Sequence, residues 1–306
     1  MKNVGIIGLG TITQYYLEGL NDSTYLNLIA VCDTLKNPVS KEIFKDYPFY
    51  LDYKEMIEKE NLDYIIISTP PKSHFEIAKY ALEHNVNVMV EKPATSNLED
   101  LVYLMDLAQS KNLIFEVMYH WQNGSEVIKF NELYDKTKIT EINTQVLDPY
   151  SNDGITINDD KVKLLGTWVD SGVNILSMIK MWLPFNDITI KNLKTKKCEK
   201  TQLPIYIDIE LLIDNVKTNI NIDWTIHKNK KESFVIYDNK KIIIDHSNQT
   251  IIDQGQNKII ELNDMIRLRR HYYNYFTNYK EITNSNMTYL IHKVLFEIRE
   301  NIWKKY

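Results

Sequence analysis

Apolar positions along the chain follow two rhythms. Up to about residue 120, short β-branched runs alternate with stretches whose apolar residues recur every three or four positions. NVGIIG (3–8), LNLIAVCD (26–33), LDYIIIST (62–69), VNVMVEK (86–92) and LIFEVMYH (113–120) read as strands. ITQYYLEGL (12–20), KEMIEKEN (54–61), HFEIAKYALEHN (74–85) and NLEDLVYLMDLAQSKN (97–112) read as helices. The last carries an apolar stripe at Leu98, Leu101, Leu104, Met105 and Ala108. Such alternation predicts a doubly wound parallel sheet.

The second rhythm begins after residue 120. A helix (125–135) and a strand (139–147) lead into a polar loop, DPYSNDGITINDDK (148–161), and a helix at about 167–181. Strand-like runs follow with short polar turns and no helices between them: DITIKNLK, IYIDIELLID, VKTNINIDWTI, ESFVIYD, KKIIIDH and TIIDQ. That pattern predicts antiparallel pairing. Two helices, about 265–281 and 287–303, close the sequence. The fold class expected is α/β, a dinucleotide-binding Rossmann domain (1–120) before an α+β domain with an open, mostly antiparallel sheet (121–306). The closing helices, 265–303, are candidates to pack back on the first domain.

Composition narrows the function classes. Charged residues make up 25% and the net charge is −5, which argues against a general nucleic-acid binder. The arginine cluster in RLRRHYYNYF (267–276) reads as a solvated face or an oligomer contact. Cys32 and Cys198 stand far apart without metal-ligand spacing, so no metal site is expected and a reducing cytoplasm fits. No apolar run nears the ~20 residues of a membrane span, and the start, MKNVGIIGLG, lacks the features of a signal peptide.

Candidate chemistry gathers where strands end. GLGTIT (8–13) follows a strand and opens a helix. Gly8 permits a tight turn and Gly10 lets backbone approach a pyrophosphate, with Thr11 and Ile12 beside it. Thr13 stands where the G-x-G-x-x-G fingerprint has its third glycine, so the match is partial. Asp33 ends the second strand, 23 residues after Gly10, at the spacing of an acid that takes ribose hydroxyls and repels a 2′-phosphate. NAD is therefore the expected cofactor, with Lys36 leaving NADP open. STPPKSH (68–74) ends a third strand, placing Thr69, Pro70 and His74 along the same groove. Strand 86–92 delivers Glu91 and Lys92 to that edge, and Pro93 stops it. If 166–179 is helical, Asp170 and Asn174 share one face, and Gly172 admits a ligand or another backbone closely.

GLGTIT, STPPKSH, EKPAT and DSGVN together resemble the Gfo/Idh/MocA family of NAD(P)-dependent oxidoreductases. The resemblance implies that Lys92, often placed by a cis Lys–Pro bond, reaches a substrate hydroxyl beside the nicotinamide. Asp170 would share that proton, and Glu91 would contact cofactor or backbone. Most members carry D-x-G-x-H where this chain has Asp170-Ser171-Gly172-Val173-Asn174. The run DSGVNILSMI, with YHWQN (119–123), is similar to the branch of L-arabinose and D-galactose 1-dehydrogenases. That likeness implies substrate contacts from Asn174, His120 and Asp148, and oxidation of a sugar or polyol CH–OH, giving a lactone if the carbon is anomeric. Loop 149–165 lacks that branch's histidine- and tryptophan-rich contacts. Alternatives are a ring-carbon dehydrogenase or reductase of cyclitols or amino sugars, and a non-catalytic dinucleotide- and sugar-binding regulator. Relatives pair through the second sheet, implying a homodimer or homotetramer.

Overall fold

A computed structural model describes residues 1–281 and 285–304. Its contacts divide the chain into two units, Met1–His120 with Leu268–His292, and Trp121–Arg267 with the residues from Lys293 on.

In the first unit, β1 (Lys2–Ile7), β2 (Leu26–Cys32), β3 (Phe49–Tyr50), β4 (Tyr64–Ile67), β5 (Asn87–Glu91) and β6 (Phe115–Met118) form one sheet in the order 3-2-1-4-5-6. Every pairing is parallel. The strand order reverses between β1 and β4, the place where open α/β sheets bind ligands beyond their carboxyl ends. Tyr64–Ile67 are buried without exception, as expected of a strand covered on both faces. The helices are α1 (Leu17–Asn21), α2 (Tyr53–Lys59), α3 (His74–Glu83) and α4 (Leu98–Ser110). Asn97 caps α4, its side chain accepting from Asp100 N at 2.8 Å. Asn85 and Asn112 take left-handed φ of 62° and 55° just after α3 and α4, a task more often given to glycine.

Two expectations change here. Segment 12–20 is not one helix: Thr11–Tyr15 is a 3-10 turn and α1 follows it. Thr13 Oγ1 donates to Gly10 O at 2.7 Å, tightening that first turn. The edge strand β3, only two residues long, falls below any periodic signal.

The second unit contributes α5 (Ser125–Leu133), β7 (Ile139–Leu147), α6 (Val173–Lys180), β8 (Ile188–Lys197), β9 (Pro204–Ile213), β10 (Val216–Asp223), β11 (Lys230–Tyr237), β12 (Lys240–Asp245), β13 (Thr250–Asp253) and β14 (Lys258–Glu261). Strand order is 14-13-12-11-7-10-9-8. β9 alternates buried and half-buried residues over most of its length, the signature of a one-sided sheet. Asp214–Asn215 and Asp238–Asn239 turn the β9–β10 and β11–β12 hairpins with positive φ at both positions, as tight hairpins require. The predicted antiparallel pairing holds except at β7 and β10, which run parallel. No turn ties β7 to its neighbours. The long connection through α6 separates it from β8 in sequence, so it can enter the middle of the sheet in either direction. β14 lies beyond the runs legible in the sequence.

α6 is preceded by a π-helical turn, Trp168–Gly172, so 167–181 is not one regular helix. The helix is buried all round from Val173 to Ile179, not a surface helix. A Cβ on Gly172 would lie 2.7 Å from the Trp168 ring. The glycine thus admits an indole side chain, where a ligand or another backbone was expected. The remaining helices are α7 (Arg267–Thr277) and α8 (Ser285–Lys304). Tyr272, Tyr275 and Phe276 of α7 join the core of the first unit. Three aromatics of RLRRHYYNYF are therefore core residues, while Tyr273 is half-buried, and the expected end of the first closing helix, 278–281, lies outside α7. No helix among the described residues is long and apolar enough to cross a membrane.

Candidate functional site

β1 ends in a turn that only glycine fits. Gly8 has φ +96°, and a Cβ there would sit 2.8 Å from Ser68 C and Thr69 N. The loops after β1 and β4 therefore press backbone on backbone. Gly10 faces open space, with nothing within 4 Å of an added Cβ. Thr11 and Pro70 are exposed, and Gly10, Ile12, Asp33 and Thr69 are half-buried around the same turn. Asp33 Oδ2 accepts from Leu9 N at 2.7 Å and Oδ1 from Leu35 N at 2.8 Å. Each carboxylate oxygen has a second lone pair, enough to take a ribose hydroxyl while still bracing the glycine turn. These residues fit a dinucleotide: a glycine cradle with room for a pyrophosphate and an acid at the end of β2.

His74 was expected along this groove. It is fully buried, with its ring nitrogens 2.7 Å from Thr69 O and 3.0 Å from Pro93 O. An enclosed ring braces the loops that carry Thr69 and Lys92 and offers no face to a ligand. Burial pushes its pKa down.

β5 delivers Glu91 and Lys92 as the sequence suggests, and the Lys92–Pro93 bond is cis. Lys92 is half-buried and Glu91 is 7% exposed. Glu91 Oε1 accepts from the hydroxyls of Tyr16 and Tyr272, both at 2.6 Å, and Oε2 from Lys92 N at 3.3 Å. Its carboxylate is thus held within the protein, and of the two expected contacts, cofactor or backbone, the structure shows the backbone one, to Lys92 N. Burial raises its pKa, while the two hydroxyls and the Lys92 charge lower it. Next to this network, His120 stacks on Tyr272 with ring centres 5.3 Å apart, and its Nδ1 lies 3.1 Å from Nδ1 of His271. Sequence reasoning missed Tyr16, Tyr272 and His271, and Tyr272 stands 181 positions from Glu91.

The second unit holds its own polar cluster. Asp148, after β7, forms a 2.6 Å ion pair with Lys231 of β11, their side chains 6% and 7% exposed. Lys231 also donates to Asn229 Oδ1 at 2.6 Å. Burial lowers the Lys231 pKa and Asp148 raises it again; Arg267 and Asp170 act on it too. Asp148 therefore spends its charge on a lysine that the sequence gave no reason to suspect. Asp170 is half-buried in the π-helical turn. Asn174 is 6% exposed and its Nδ2 donates to Asp170 O at 3.2 Å, so the two do sit together. Nearby, Ser151, Ile155 and Thr156 donate to Asp153 and fold the start of the polar loop into a tight turn. No cluster of three or more metal-binding side chains occurs among the described residues.

Residues 2–119 match the model of an oxidoreductase family with an NAD-binding Rossmann fold, GFO_IDH_MocA. An uncharacterized oxidoreductase of Schizosaccharomyces pombe is 27% identical over 103 residues, covering 34% of this chain and 28% of its own length. The chain thus aligns with little more than a quarter of that relative. Two solved structures share the fold over nearly the whole chain. A dehydrogenase from Clostridium difficile covers 98% of this chain and 99% of its own, with TM-score 0.79 and 19% identity. An oxidoreductase from Agrobacterium radiobacter, solved with NAD+, L-tartaric acid and magnesium, covers 100% and 97%, with TM-score 0.81 and 12% identity.

Proposed function

We propose, from the match of residues 2–119 to the GFO_IDH_MocA oxidoreductase family model, that this chain is an NAD(P)-dependent oxidoreductase acting on a CH–OH carbon. The observation that carries the reading is the turn after β1, with Gly8 in a left-handed conformation against Ser68–Thr69 and open space at Gly10. The glycine turn would hold the pyrophosphate, and Asp33 the adenosine ribose, which favours NAD over NADP. A bound nicotinamide supplies the hydride chemistry. The protein's own part is proton handling and orientation. Lys92, at the carboxyl end of β5, takes the hydroxyl proton in oxidation and returns it in reduction. In the second unit, Asp170 accepts a substrate hydroxyl, and Asn174 orients it without titrating. A sugar or polyol is the substrate class that suits these hydroxyl-directed groups, with an aldose oxidised at its anomeric carbon as the narrower form.

The test joins binding to turnover. The protein should bind NADH, seen by fluorescence, and should change NADH absorbance with at least one member of a polyol and aldose panel. Lys92→Ala should cut kcat by roughly 10²–10⁴, the contribution of a positioned acid or base, with NADH affinity kept. Full activity in Lys92→Ala refutes the assignment, and NADH binding with no turnover on the panel favours a dinucleotide-binding regulator.

A further inference from the structure

Lys92 is the one residue between the last rung of β5 and a peptide that two buried imidazoles meet. On its amino side, Glu91 pairs with Met118 in the sheet. On its carboxyl side, His74 and His292 face the two polar atoms of the Pro93–Ala94 peptide. His74 Nδ1 lies 3.0 Å from Pro93 O, and Ala94 N donates to His292 Nε2 at 3.0 Å. We propose that His292, through the Ala94 N–H, is a positioning residue that fixes where the end of β5 presents Lys92. The inference rests on the oxidoreductase reading for the task of Lys92, and takes the grip itself from geometry.

The partners of His292 dictate its tautomer. The residue lies in α8 and is fully buried, as is Ala94. An amide N–H can only donate, so Nε2 carries the lone pair. The ring hydrogen then sits on Nδ1, which faces Thr288 O at 3.0 Å, one helical turn back, with the Tyr119 hydroxyl 3.1 Å away. A carbonyl can only accept, so both ends of the ring agree on one neutral form. Burial pushes the His292 pKa down to about 4, which keeps a second hydrogen off Nε2 near neutral pH. His74 is less decided. Its two nitrogens face two carbonyls, Thr69 O and Pro93 O, and a neutral ring donates to one of them at a time. His292 is therefore the fixed part of the grip.

Little freedom is left between that grip and Lys92. The ring of Pro93 locks its φ. Beyond Ala94, Thr95 Oγ1 donates to Asn97 O at 2.6 Å, and Asn97 caps α4, so the far end of the loop is tied down as well. A buried N–H that loses its acceptor must find another, and it does so by turning its peptide plane. With the loop fixed beyond Thr95, such a turn displaces the backbone on the Lys92 side. A shift of about 1 Å at a reacting group can cost about a hundredfold in rate.

The test reads the grip first without a substrate and then with one. In the full-length chain labelled with nitrogen-15, the ring shifts of His292 should show a hydrogen on Nδ1 and none on Nε2 at neutral pH. A hydrogen on Nε2 overturns the proposal. His292→Leu, which removes the acceptor, should speed deuterium exchange at the Ala94 amide by roughly tenfold or more. On a substrate from the polyol and aldose panel it should cut kcat by roughly ten- to a hundredfold, with KM and NADH affinity kept. His292→Gln, whose Oε1 can accept from Ala94 N, should recover most of both losses. Unchanged exchange at Ala94 in His292→Leu overturns the proposal, and so does an unchanged kcat per folded molecule, the result expected of a histidine that only stabilises the fold. If His292→Leu does not fold, the tautomer in the unaltered chain decides. NADH binding is measured separately: its absence would sink the oxidoreductase reading, while tautomer and exchange would still decide whether His292 holds the peptide.

Discussion

Lys231→Met should be costly in a way that an exposed ion pair would not be. The substitution keeps the length of the side chain and removes its charge. It leaves Asp148 at 6% side-chain exposure without the ammonium 2.6 Å away. Breaking one half of a buried pair costs about 3–5 kcal/mol, because the surviving charge stays out of water. A solvated pair is worth only ~0–1 kcal/mol. The burial of both partners and the second short bond from Lys231 to Asn229 place this pair in the first class. All five tryptophans, at positions 121, 168, 182, 224 and 303, lie in the second unit, so their emission reports its unfolding alone. In urea, Lys231→Met should lower the unfolding free energy read this way by about 3–5 kcal/mol. Asp148→Asn with Lys231→Met should recover most of that, because no unpaired charge remains. A loss below about 1 kcal/mol, or single and double variants whose effects simply add, would refute the reasoning. The pair would then be free to serve a substrate at little cost to the fold.

Asp33→Ser should narrow the preference for NADH over NADPH in fluorescence titrations, since the charge facing a 2′-phosphate is gone; tighter NADPH binding by the unaltered chain would contradict this. Gly8→Ala should weaken NADH binding by roughly tenfold or more, because an alanine in left-handed backbone costs about 1–2 kcal/mol before the clash with Ser68 is counted. Unchanged affinity would mean that the turn does not hold the cofactor. Glu116 gives a pH dependence. Burial pushes its pKa up to about 7, Tyr275 donates to one oxygen, and the other has no partner among the described residues. The native chain therefore keeps a proton that the unfolded chain has lost. This group's contribution is complete below about pH 4.5, declines as pH rises toward 7 and is gone above it. Glu116→Gln should remove roughly 2 kcal/mol of that decline, after a discount for partial exposure, in denaturation curves taken from pH 5 to 8. Identical slopes in both proteins would count against it.

The features that could be read from the sequence were those written in consecutive residues. β-branched runs in a covered sheet, a glycine turn at a strand end, and an acid at the end of β2 each follow from local stereochemistry. The structure keeps all three. Periodicity gave α3, α4 and α5 nearly to their ends, because each has an apolar stripe and a polar flank. It failed at 12–20 and 167–181, where a 3-10 turn and a π-helical turn break the helical repeat. Apolar content did not help there. Trp168 and Gly172 look like any apolar pair until the indole is seen to occupy the place of the missing Cβ.

Polar partners were illegible for a different reason. Glu91 and Lys92 are neighbours in the sequence, and a pair of opposite charges at a strand end suggests that each answers the other. The fold answers Glu91 with tyrosines from positions 16 and 272. Asp148, a sugar ligand only by what the resemblance implied, is answered by Lys231, 83 positions away. In each case the motif residue was found and its electrostatic setting was not. That setting decides the chemistry: a carboxylate satisfied by donors inside the protein braces the elements that carry those donors, whereas one left to solvent is available to a ligand. By this criterion Asp33, half-buried with a lone pair to spare on each oxygen, is better placed to meet a ligand than Glu91 or Asp148. Asp33→Ser should therefore change what the protein binds, while Glu91→Gln should change how firmly the end of β5 is held to Tyr16 and Tyr272.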